Sequence, residues 1–165
     1  MVKIGVIGIG KWGQNHLRSL TQLPCDLIGI SDTDTTRKTL AEKYQIKFYQ
    51  NYQDLLPYID AVTITTPTNT HFQVVMDCLQ AGKHVLVEKP IASTSKESQQ
   101  LVTYAQQHNL ILSVGYLYRF NNAIKRTKEL LSNMGKIQYI TCRYIHSTKP
   151  PRQDSGLYLT LAFIP

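Results

Sequence analysis

Sulfur, long apolar runs and closely spaced metal-binding pairs are all scarce in this chain. Its 165 residues include three cysteines, Cys25, Cys78 and Cys142, and no C-x-x-C pair. That excludes a zinc ribbon and a dithiol redox motif, and an odd number so widely spaced suits free thiols rather than a disulfide framework. The five histidines show no H-x-x-x-H spacing, so no metal site is expected. No apolar stretch is long enough to cross a bilayer, and no membrane partner is expected. The apolar run at the N-terminus is short and broken by glycines, unlike an export signal, so the expected location is the cytoplasm. There are no internal repeats and no low-complexity tracts.

Acidic residues are also in deficit, with 11 Asp and Glu against 18 Lys and Arg and a net charge of +7. A nucleic-acid binder would cluster its basic residues on one face. Here they are scattered, and the one local cluster is Lys125, Arg126 and Lys128. The excess therefore fits a solvated surface that suits an anionic small ligand, and no nucleic-acid partner is expected. Hydrophobic residues make up 42% of the chain and charged ones 18%, the balance of an ordinary globular domain with a sizeable core.

What is present is concentrated at the start. Val2–Ile7 is an apolar run that suits a buried parallel strand. Gly8, Gly10 and Gly13 then give G-x-G-x-x-G at a strand-to-helix turn. In that pattern one glycine makes the tight turn, one lets backbone approach a pyrophosphate, and one lets the helix pack on the strand. The N–H groups and dipole of the helix favour phosphate. Glycines also mark ordinary turns, so context matters. A helical pattern follows through Gln14, His16, Leu17 and Leu20, and a second apolar strand, 26–31, leads to Asp32, nineteen residues past Gly13. All three context conditions of the dinucleotide fingerprint are met.

Strands are expected at 2–7, 26–31, 46–48, 60–65, 83–87 and 110–114. Helices are expected at 11–22, 34–44, 70–81 and 94–107, with a short turn near 51–56 and a capping box at Thr94–Glu97. Such alternation predicts an α/β, doubly wound parallel sheet covered on both faces. It accounts for residues 1–120 as one dinucleotide-binding domain. From 121 the chain changes character. A polar helix over 121–133 ends at Gly135, and 137–147 reads as a strand.

Ligands of such sheets bind beyond the carboxyl ends of the strands. Asp32, Thr65–His71, Glu88-Lys89-Pro90 and Gly115–Phe120 all fall there. Taken together, Gly8–Gly13, Asp32, Thr66-Pro67-x-Asn69-x-His71, the Ala81–Pro90 run and Tyr118-Arg119-Phe120-Asn121 resemble the Gfo/Idh/MocA family of NAD(P)-dependent oxidoreductases. The resemblance covers about residues 1–148, and Glu88-Lys89-Pro90 is its most specific piece.

That resemblance implies an NAD cofactor, with NADP admitted, and hydride transfer to or from a sugar, polyol or nucleotide sugar. It implies that Gly8, Gly10 and Gly13 meet the pyrophosphate, with Lys11 and Trp12 lining the same loop. Asp32 would bond the adenosine ribose, and its charge would disfavour a 2′-phosphate. Arg37 and Lys38, just beyond, would soften that preference. Thr66, Pro67, Asn69 and His71 would line the path to the nicotinamide ribose, with Glu88 and Lys89 beside the nicotinamide. Lys89 would be the catalytic residue that helps move the substrate proton. Each has a plainer alternative. Asp32 would serve as a helix cap, His71 as a packed core residue and Lys89 as a surface lysine. Arg119, which the resemblance counts among the cofactor-binding residues, would instead anchor the domain junction through its donors, and Pro67 and Pro90 would only end strands.

The family normally adds a C-terminal α/β domain, so 121–165 is expected to hold only the start of one. Where its next helix carries an Asp and, four residues on, a His, this chain has Thr160 and Ile164. Neither is an effective proton carrier near neutral pH. A strand at 137–147 without a neighbour invites pairing with another chain, so a homo-oligomer joined through 121–165 is expected. Three readings stay open here: a dehydrogenase, a cofactor-binding module without catalysis, and a remnant of a longer enzyme.

Overall fold

The computed structural model describes residues 1–131, 133–136 and 139. The chain divides into two compact units, Met1–Gly115 and one that begins at Tyr116.

The first unit alternates strand and helix throughout. Its strands are β1 (Lys3–Ile7), β2 (Asp26–Ser31), β3 (Lys47–Tyr49), β4 (Ala61–Ile64), β5 (His84–Val87) and β6 (Leu112–Val114). They form one parallel sheet in the order β3-β2-β1-β4-β5-β6. The chain winds outward from β1 to β3, then returns to the other side of β1 as β4. The order reverses between β1 and β4, and a crevice opens at that point beyond the carboxyl ends of the two strands.

The helices are α1 (Lys11–Leu20), α2 (Lys38–Tyr44), α3 (Thr68–Gln80) and α4 (Ser95–Gln107). Side chains alternate along each strand, so neighbours on β1 enter different cores. Val6 packs with Ile9, Leu17, Leu20, Ile30 and Ala41, the α1–α2 side. Ile7 packs with Val62, Ile64, Val75, Leu79, Val87 and Leu101, the α3–α4 side. The second core also takes in Leu55, Leu56 and Ile59 from two 3-10 turns at Tyr52–Asp54 and Leu56–Tyr58.

Most element boundaries fall within two residues of expectation, and the departures have local causes. The stretch expected as one helix over 34–44 is a 3-10 turn, Thr35–Arg37, followed by α2. Asp34 caps the turn by accepting the Thr36 N–H at 3.0 Å. α3 starts at Thr68, two residues early, because Pro67 occupies its N-cap position, where a missing N–H costs nothing. The capping box of α4 forms as expected. The Thr94 N–H donates to Glu97 Oε2 at 3.0 Å and the Glu97 N–H to Thr94 Oγ1 at 3.2 Å.

In the second unit a 3-10 turn, Leu117–Phe120, leads into α5 (Asn122–Leu131). The Asn121 carboxamide oxygen accepts the Ala123 N–H at 2.9 Å and so caps α5. The expected strand at 137–147, Cys142, Thr160 and Ile164 lie outside the described residues, apart from Tyr139. Among the described residues, no helix is long and apolar enough to cross a membrane, and no cluster of three or more His, Cys, Asp or Glu could hold a metal ion.

Candidate functional site

The glycine turn joins β1 to α1 at the carboxyl edge of the sheet. Gly8 sits at φ +85, and its N–H donates to Ser31 O at 2.8 Å. Gly13 is the contact between helix and loop. A Cβ there would lie 2.0 Å from Gly8 O and 2.7 Å from Thr65 Oγ1. The Thr65 hydroxyl donates to that same carbonyl, so β4, the loop and α1 close on one another at Gly13.

Gly10 differs from both. It is the N-cap of α1, no side chain caps that helix end, and a Cβ on Gly10 would meet nothing within 4 Å. The start of α1 thus has no side-chain cap and has open space beside Gly10, the condition in which a helix end takes a phosphate. Lys11 is exposed and Trp12 half-buried on this first turn. The residues present fit a dinucleotide pyrophosphate.

Asp32 follows β2 by one residue and folds back over the turn. Its Oδ2 accepts the Ile9 N–H at 2.6 Å and its Oδ1 the Asp34 N–H at 2.9 Å. It is thus not the cap of the next helical segment, a role Asp34 takes. Hydrogen bonds from the Thr36 side chain and backbone hold the Asp34 carboxyl below the usual range. Arg37 pairs with Asp34 at 3.3 Å, and both are solvent-facing, so the pair is a weak one.

The run after β4 is divided between faces. Pro67 and Asn69 are exposed, and Thr66 and Thr70 are half-buried with their hydroxyls 2.9 Å apart. His71 is fully buried. Its Nε2 lies 2.9 Å from Thr66 O and its Nδ1 2.7 Å from Pro90 O. The ring ties the loop after β4 to the loop after β5, and it shapes the site through those loops rather than by meeting solvent.

Glu88 immediately follows β5 and is 4% exposed. Its Oε2 accepts the Lys89 N–H at 3.2 Å, and its Oε1 lies 3.0 Å from His16 Nε2. Lys89 is half-buried and precedes a cis peptide to Pro90. Gly115 sits behind the Glu88 carboxyl, since a Cβ on Gly115 would come within 3.3 Å of all three carboxyl atoms. Arg119 belongs to the second unit, on its 3-10 turn.

The first unit therefore gathers Gly8, Gly10, Lys11, Trp12, Gly13, Asp32, Thr66, Pro67, Asn69, His71, Glu88 and Lys89 along one edge of the sheet. The sequence alone does not single out His16, which reads only as part of the helical pattern of α1. The available signal was its place one turn after Gly13: a polar residue on a helix face that otherwise packs on the sheet.

Comparison with known proteins agrees with this geometry. A family model, GFO_IDH_MocA, described as "Oxidoreductase family, NAD-binding Rossmann fold", matches residues 2–116. UDP-N-acetylglucosamine 3-dehydrogenase of Acidithiobacillus ferrooxidans is 30% identical over 97% of this chain and 50% of its own length. Its solved structure superposes with a TM-score of 0.74 at 33% identity, over 78% of this chain and 43% of that one. Myo-inositol 2-dehydrogenase of Thermotoga maritima is 30% identical over 97% of this chain and 51% of its own length. GenD2 from gentamicin A biosynthesis, solved in complex with NAD, gives a TM-score of 0.76 at 26% identity, over 80% of this chain and 39% of that one. The chain spans about half the length of the first two relatives.

Proposed function

The chain belongs to the Gfo/Idh/MocA family of NAD-binding Rossmann-fold oxidoreductases, and on that premise we propose that it carries the cofactor half of a dehydrogenase. The reaction would pass hydride between the nicotinamide of NAD, or NADP, and a hydroxyl or carbonyl carbon of a sugar, polyol or nucleotide sugar. The observation that carries the reading is the uncapped start of α1 beneath an open Gly10. The substrate class rests on the relatives, one of which acts on a UDP-sugar and another on an inositol.

In this reading the N–H groups over Gly10, Lys11 and Trp12 hold the pyrophosphate, with Gly8 and Gly13 shaping the loop. Asp32 accepts the adenosine ribose hydroxyls on the lone pairs left by its two backbone N–H bonds. Thr66, Pro67 and Asn69 flank the path to the second ribose, and His71 fixes the two loops that form it. When bound, the nicotinamide supplies or accepts the hydride. Lys89 gives a proton to, or takes one from, the substrate oxygen, and Glu88 holds the Lys89 backbone. Residues 121–165 begin the second domain and carry a homo-oligomer contact. A monomer by light scattering at micromolar concentration refutes that contact. A cytoplasmic location accompanies this assignment.

A second reading is favoured by Thr160 and Ile164, which stand where the family resemblance implies an Asp and a His. In that reading the chain binds the dinucleotide without turning substrate over. Fluorescence titration with NADH and NADPH tests what the two share, and absence of binding by either sinks both. A screen of sugars, inositols and UDP-sugars at the nicotinamide absorbance band separates them. Turnover that Lys89→Met abolishes while NADH binding persists supports the dehydrogenase. Binding with no turnover on any substrate supports the module.

A further inference from the structure

His16 stands on α1, about one and a half turns from the pyrophosphate end of that helix, and reaches across to β4 and the end of β5. Strand alternation explains why it can. Thr63 on β4 pairs with Leu86 on β5, and Glu88 lies two residues beyond Leu86, so all three share the sheet face that looks at α1. His16 Nδ1 is 3.1 Å from Thr63 Oγ1, and Nε2 is 3.0 Å from Glu88 Oε1. The side chains of His16 and Glu88 are only 16% and 6% exposed.

The chemistry of this triplet is one-directional. A carboxylate only accepts, so Nε2 must carry a proton toward Glu88. The Thr63 hydroxyl can either donate to Nδ1 or accept from it, so the Nε2–H contact survives whether the ring is neutral or charged. Glu88 then uses its other oxygen for the Lys89 N–H. A buried carboxylate needs such partners, because an unpaired charge out of water is costly. No residue of this relay other than Glu88 and Lys89 belongs to the fingerprint motifs.

We propose that His16 is a positioning residue for the nicotinamide end of the site: it fixes Glu88, which in turn fixes the backbone that carries Lys89. This rests on the cofactor reading above. It adds that both ends of the dinucleotide site hang on α1, the pyrophosphate on its first turn and the Glu88–Lys89 corner through His16.

The test compares NADH with ADP-ribose, which lacks the nicotinamide, on the full chain by calorimetric titration. His16→Leu should weaken NADH about five- to twentyfold, the scale of losing one charge-assisted hydrogen bond. ADP-ribose should weaken by less than about threefold, since its own contacts are untouched. His16→Gln, whose amide can donate where Nε2–H did, should recover most of the NADH loss. Thermal melts establish that each variant is folded. If His16→Leu does not fold, Thr63→Val carries the test, because it removes the hydroxyl behind Nδ1 and should shift NADH alone, by a smaller factor. Equal weakening of both ligands, or NADH unchanged in folded His16→Leu, overturns the role of His16 and leaves the cofactor reading standing. A wild-type chain that binds neither ligand overturns the cofactor reading, and this inference with it.

Discussion

Gly10 and Gly13 lie three residues apart in one motif, yet the structure predicts opposite consequences for replacing them with alanine. A Cβ on Gly13 would lie 2.0 Å from Gly8 O, an atom of the backbone. An ordinary carbon–oxygen contact needs over about 1 Å more than that, so α1 or the turn must retreat. Overpacking of this kind costs about 1–3 kcal/mol. Displacing Gly8 O also weakens the bond from Thr65, worth about 1 kcal/mol, and alanine's better helix propensity returns about 1 kcal/mol. The net loss is about 1–3 kcal/mol, or roughly 3–10 °C in Tm for a chain of this size. Gly10 has φ −70 and open space beyond. Gly10→Ala should therefore cost only about 0.5 kcal/mol, through the poorer N-cap. Its methyl group stands where the phosphates must approach, so NADH affinity should fall on the order of tenfold. Thermal melts by circular dichroism and fluorescence titration with NADH on both variants provide the check. If Gly13→Ala melts with the wild type, or if the two variants show the same balance of stability and binding loss, the division of labour drawn from the turn is wrong.

Three further outcomes are expected. His71→Leu removes the one ring N–H that a neutral imidazole can offer to the flanking carbonyls of Thr66 and Pro90 and should destabilise the fold by about 1–3 kcal/mol, read as a lower urea midpoint with unchanged slope. On the proposed ribose contact, Asp32→Ala would remove a charge that opposes a 2′-phosphate, so the ratio of NADH to NADPH affinity should fall on the order of tenfold in paired titrations. Burial, with the nearby Asp77 charge second, pushes the Cys78 thiol up to about 12, so it should resist iodoacetamide in the folded chain at pH 8 and react once urea unfolds it. The folded chain keeps the Cys78 proton between the ordinary thiol range and about pH 12 while the unfolded chain loses it. Its contribution is therefore complete below the ordinary thiol range and is lost as pH rises across that window, so the urea midpoint should decline there.

The order of elements, the parallel sheet and the family were legible in the sequence because each rests on local signals. Apolar runs such as Val2–Ile7 and Ala61–Ile64, the three glycines and the Thr94–Glu97 box carry their meaning within a few residues. Asp32 and the Glu88-Lys89-Pro90 run were likewise placed at the carboxyl edge by strand ends alone. What these side chains touch was not legible. Asp32 and Asp34 are both good capping residues, and only the fold-back onto the Ile9 N–H separates their roles. In sequence His71 fits a site residue and a packed one equally well, and only the two carbonyls on either side of its ring separate them.

His16 marks the same divide more sharply. Its sequence neighbours say only that it sits on an amphipathic helix, while its partners, Thr63 and Glu88, are 47 and 72 residues away. Sequence by itself determined the α/β class, the dinucleotide turn and the oxidoreductase family, since propensity, periodicity and turn chemistry act over short spans. Only the tertiary structure decided which glycine is packed and which is open, which aspartate caps and which reaches the turn, and that a helix histidine holds the Glu88–Lys89 corner. Those facts depend on contacts between segments far apart in the chain, which strand order and register bring together and local pattern does not encode.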